Sequence, residues 1–66
     1  MPNADSVCQS ACDRRAFQDQ MPNCASGQVA VACTDRTHSN SSARYVCAPS
    51  STDSKGVYFE HQRWRR

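Results

Sequence analysis

The stretch Asp5-Ser6-Val7-Cys8-Gln9-Ser10-Ala11-Cys12-Asp13-Arg14-Arg15-Ala16 decides how the rest of the chain is read. Val7, Cys8, Ala11, Cys12 and Ala16 fall within about half of a helix circumference, and Arg14, Gln18 and Asp19 face the other way. Ser6 followed by Gln9 has the form of a capping box, with Asp5 as a competing N-cap. Pro22 disfavours helical backbone at Met21. The pattern predicts one helix over residues 5–20. Phe17 lies off its apolar face and is expected to cover a flank.

Working outward, three β-prone stretches follow. In 28–34, Val29, Val31 and Cys33 share one face, and Ala30 and Ala32 share the other, so close packing is expected on both sides. In 43–48, Tyr45 and Cys47 oppose Arg44 and Val46. In 56–61, opened by a Lys55-Gly56 turn, Val57, Phe59 and His61 oppose Tyr58 and Glu60, with Val57 and Phe59 expected in the core. The connections 35–42 and 49–54 are rich in Ser, Thr, Asn and Asp and read as solvated loops. The fold expected is α+β: one N-terminal helix packed on a small three-stranded antiparallel sheet, stapled by disulfides, with a single domain over 1–62 and a basic tail over 63–66.

The need for staples comes from composition. The chain has 66 residues and contains neither leucine nor isoleucine. A chain of this size buries only about 60% of its unfolded surface, and ordering it costs on the order of 100 kcal/mol. Five valines, five aromatics, two methionines and eight alanines make a thin core against that cost. A large catalytic cleft or a nucleotide-binding fold does not fit. No apolar run approaches the ~20 residues of a membrane span.

The five cysteines are spaced C-x3-C-x11-C-x8-C-x13-C. Cys8 and Cys12 present both sulfurs to whatever the helix covers, and each is expected to bridge to one of Cys24, Cys33 and Cys47, with the connectivity left open. A bridge closing ~15–40 residues contributes ~3–4 kcal/mol through the unfolded chain. The odd thiol is inert and buried, or pairs between chains to give a covalent dimer, or is reactive; Cys8, near a helix N-terminus, would have a lowered pKa if free. A zinc site on Cys8, Cys12 and His38 with Cys24 or Cys33 is the competing reading, because a structural metal also compensates for a small core. No second closely spaced ligand pair supports it, so neither metal nor cofactor is expected. No cysteine, histidine and amide pattern marks a nucleophile, and the chain is not expected to be an enzyme.

Charge is unevenly placed. Residues 1–62 hold five basic and six acidic side chains, and Arg63-Trp64-Arg65-Arg66 adds three positive charges. Trp64 among arginines suits stacking or an anionic surface, so Tyr58, Arg63, Trp64, Arg65 and Arg66 are the candidate binding residues. Three charges give only salt-sensitive attraction to a polyanion and no stable membrane insertion.

Residues 1–6 carry neither the basic nor the apolar segment of a secretory leader. Cysteine use in so small a chain then favours a mature secreted protein with an added start methionine over a cytosolic one with reduced thiols. Asn40-Ser41-Ser42, a glycosylation acceptor triplet, agrees. The five cysteines, the Ser/Asn/Thr-rich loops and the short length together resemble, at class level, the small secreted cysteine-rich effectors and toxins of fungi and oomycetes. That resemblance implies a non-enzymatic protein recognising a host protein or an anionic surface or polymer. A cationic antimicrobial or toxin-like peptide acting at membranes, and a small zinc-binding module, are the alternatives.

Overall fold

The computed structural model describes residues 3–37 and 42–60 as one helix and one three-stranded sheet. Helix α1 spans Ala4–Arg14, and strands β1, β2 and β3 span Gln28–Asp35, Arg44–Pro49 and Lys55–Tyr58. The boundary expected at 62–63, Asn40 and Ser41 of the glycosylation triplet, His38 and His61 lie outside the described residues.

The helix starts earlier and stops sooner than its periodicity predicts. Asn3, in extended backbone, is the N-cap, and its side-chain oxygen accepts the N–H groups of Asp5 at 2.7 Å and Ser6 at 3.3 Å. Ser6 and Asp5 therefore sit inside the first turn, and no capping box forms. At the other end Arg15 adopts the left-handed region at φ 55 and ψ 48. Its N–H reaches the Cys12 carbonyl at 3.1 Å, and the Ala16 N–H reaches the Ala11 carbonyl at 2.8 Å. This is a Schellman closure made without glycine, and it releases residues 16–20 from the helix.

The sheet is mixed, in the order β2-β1-β3. β1 and β2 pair antiparallel from Gln28 opposite Pro49 to Cys33 opposite Arg44. β1 and β3 pair in parallel from Ala32 opposite Lys55 to Asp35 opposite Tyr58. This corrects the all-antiparallel sheet expected from sequence. After β2 the chain turns, with the Ser50 N–H on the Gly27 carbonyl at 2.9 Å and the Thr52 N–H on the Pro49 carbonyl at 2.8 Å. It passes the start of β1 and runs up that strand's other edge, so the small-residue strand becomes the centre.

One face of the sheet meets α1 to form the core. Ala4, Cys8 and Ala11 of the helix pack with Val31, Cys33, Val46, Ala48 and Tyr58, and Val7, Cys12, Phe17 and Val29 border them. The expected facing of β1 and β2 holds. That of β3 is reversed: Gly56 and Tyr58 point inward, and Val57 and Phe59 are only half-buried. Gly56 explains the reversal. A Cβ there would lie 2.7 Å from the Ala4 carbonyl carbon and oxygen and 2.9 Å from the Cys8 sulfur, so only glycine lets strand and helix approach this closely.

Two disulfides staple the sheet from opposite sides. Cys8–Cys33 joins the helix to the inner face. Cys24–Cys47 lies on the outer face, because Val46 and Ala48 take the inward positions of β2. Cys12 is free, which corrects the expectation that both helical cysteines form bridges. Cys47 faces away from the helix, beyond the reach of a helical sulfur. Cys24, on the segment that leaves the helix, meets it instead.

Candidate functional site: a groove beside the open edge of β2

The two edges of the sheet are finished differently. Along β3, the Asp5 carboxylate accepts the Val57 N–H at 3.0 Å. The Gln9 side chain accepts the Phe59 N–H at 2.9 Å and donates to the Phe59 carbonyl at 3.2 Å. Asp5 and Gln9 are one helical turn apart, so one row of helix side chains occupies the backbone groups of that edge.

Along β2 the covering is partial. Gln18 and Tyr45 exchange both backbone hydrogen bonds, at 2.8 and 2.9 Å, as an isolated antiparallel bridge. Tyr45 thus directs its N–H and C=O away from β1, and by alternation so does Cys47 two residues on. Neither Cys47 backbone group has a partner among the described residues on that side. Pro49, the next in the series, has no N–H, and its carbonyl accepts from Thr52. Between this short open edge and the helix lies a groove of about 310 Å³. Its walls are the Ser6, Val7, Ser10 and Arg14 side of α1 and the Val46–Pro49 part of β2. The Arg14 Nε donates to the Ser10 carbonyl at 3.3 Å, and Arg14 is among the residues that line the groove.

Of the candidate binding residues named from sequence, Tyr58 alone falls among the described residues. Arg63, Trp64, Arg65 and Arg66 lie outside the described residues. Tyr58 is 3% exposed, with its ring centroid 4.7 Å from that of Phe17, and is a core residue. The groove was missed because Val46 and Ala48, which line it, are themselves core residues, and the sequence carries no sign that the helix leans toward β3.

The cysteine chemistry is also settled differently. With Cys8 bridged, the Cys8–Cys12 pair does not present two thiolates to a metal. No group of three or more His, Cys, Asp or Glu side chains among the described residues is arranged to hold an ion. Cys12 is half-buried near the end of the helix, and burial pushes its thiol up. The carboxylates of Glu60, Asp13 and Asp35 push the same way, with Arg44 opposing. The spare thiol therefore keeps its proton more firmly than an ordinary cysteine, while Cys8, being bridged, has no thiol to titrate.

Among the described residues no helix is long and apolar enough to cross a membrane. Compared with known proteins, the chain matches no family model, no curated protein and no solved structure.

Proposed function

We propose that this chain is a secreted, non-enzymatic binding module of the effector or toxin type, which recognises another macromolecule through its surface. The observation that supports this reading most strongly is the apolar groove beside an unpaired stretch of strand edge, on a scaffold held rigid by two disulfides. Disulfides persist in oxidising compartments, which favours an extracellular setting. A preformed concave surface on a cross-linked frame loses little entropy on binding, which suits a chain without room for a large catalytic cleft.

The test is binding of the oxidised protein to an array of extracellular protein domains. Saturable binding to a defined member, lost when both bridges are reduced, is the expected result. Turnover of any substrate by the oxidised protein, or no retained partner, would overturn the reading.

A further inference from the structure

The groove also indicates which kind of ligand it takes. This inference rests on the binding-module reading and adds the chemistry of the partner. α1 runs parallel to β3, since Asp5 meets Val57 and Gln9 meets Phe59, and β3 is parallel to β1. The helix is therefore antiparallel to β2. Its Arg14 end lies where Gln18, four residues further on, closes the edge at Tyr45. The open stretch is bounded there by Gln18 and at its other end by Pro49.

We propose that the groove captures the free C-terminus of a partner protein, bound as a short antiparallel strand on β2. Its backbone pairs with the N–H and C=O of Cys47. An antiparallel strand entering from the Pro49 end must stop before Gln18, because the chain's own backbone already fills the position beside Tyr45. It stops beside Arg14, whose guanidinium is the charged group of the groove and complements a terminal carboxylate. The side chain pointing inward from such a strand rests against Val7, Val46 and Ala48, so an apolar residue at or next to the terminus is selected.

The experiment selects binders to the oxidised full chain from random heptapeptides displayed with free C-termini, and in parallel from the same peptides displayed internally. Expected are sequences with an apolar terminal or penultimate residue, enriched only from the first library. One selected peptide is then made as the free acid and as the C-terminal amide. The acid should bind about tenfold more tightly, since one charge-assisted bond of about 1.4 kcal/mol is at stake. It should shift the Cys47 and Ala48 amide resonances, and the exposed substitution Arg14→Gln should remove the preference for acid over amide without changing the melting temperature. Equal binding of acid and amide, enrichment from the internal library alone, shifts confined to another face, or no enrichment would each overturn it. So would concentration-dependent dimerisation with protection of the Cys47 amide, which would assign the edge to a second copy. A protein domain that binds wild type and Arg14→Gln equally would leave the binding-module reading standing while this inference falls.

Discussion

The Asp5 carboxylate accepts the backbone N–H of Val57 at 3.0 Å across 52 positions of sequence, and thereby puts a helix side chain where a neighbouring strand's carbonyl would stand. Gln9 repeats the arrangement at Phe59. A strand of four residues is marginal by itself, and these side chains hold it in place.

Removing that support should loosen β3 specifically. Asp5→Ala and Gln9→Ala are each expected to cost about 1 kcal/mol. Amide exchange should accelerate at Val57 in the first variant and at Phe59 in the second. Hydrogen exchange monitored by NMR distinguishes this from a general loss of stability, which would speed exchange in β1 equally.

Gly56→Ala should be the most harmful single methyl added to the sheet. The new Cβ meets backbone of Ala4 and a bridged sulfur, neither of which is free to yield. A loss of about 2 kcal/mol, read as a fall of about 10 °C in melting temperature, is expected. Gly27→Ala provides the contrast, because at φ 85 it meets nothing within 4 Å and introduces backbone strain alone, on the order of 1 kcal/mol.

Arg15→Gly should stabilise the protein. Arg15 is exposed and sits at positive φ, where glycine carries no Cβ penalty. After allowance for the greater freedom of glycine in the unfolded chain, a gain of about 0.5 kcal/mol in denaturant unfolding is expected. No gain, or a loss, would mean that the Arg15 side chain supports the closure.

Alkaline pH should weaken the fold. Burial raises the Cys12 thiol above its ordinary value of 9.0 and the Tyr58 hydroxyl above 10.0. Each group keeps its proton more firmly when folded than when unfolded. The associated stability is fully present below the unfolded values and is lost as pH rises through the raised ones. Melting temperature should therefore hold steady from neutral pH to about 9 and decline above it, less steeply in Cys12→Ala. Alkylation of Cys12 by iodoacetamide should show a midpoint above the ordinary thiol value.

How much of this was legible in the sequence varies by residue. The inward faces of α1 and β1 were, because Cys8 and Ala11, like Val31 and Cys33, repeat at the period of their element. The helix end was not, since Arg15 adopts a left-handed conformation that no residue near it announces. Asn3 had the right chemistry for an N-cap but lay two positions before the stretch that attracted attention. Gly56 was a usable signal. A glycine within a β-prone run marks close backbone approach, and placing it inward would also have turned Tyr58 inward. The parallel pairing of β3 joins Ala32–Asp35 to Lys55–Tyr58, segments far apart in the chain, and no local pattern encodes it. For the groove, the apolar character of Val7 and Val46 was legible, but that Val7 stays half-exposed beside β2 follows from where the helix lies.

The order of the bridged cysteines along the chain, 8 with 33 and 24 with 47, interlaces two rings rather than nesting or separating them. Any single peptide-bond cleavage between Cys8 and Cys47 falls inside at least one ring, so the fragments stay covalently joined. A protease that cuts the connection between β1 and β2 should add one water to the mass and release nothing until a reductant is supplied. The segment beyond Cys47 lacks that insurance, which makes β3, held by Asp5, Gln9 and its pairing with β1, the part that digestion can carry away.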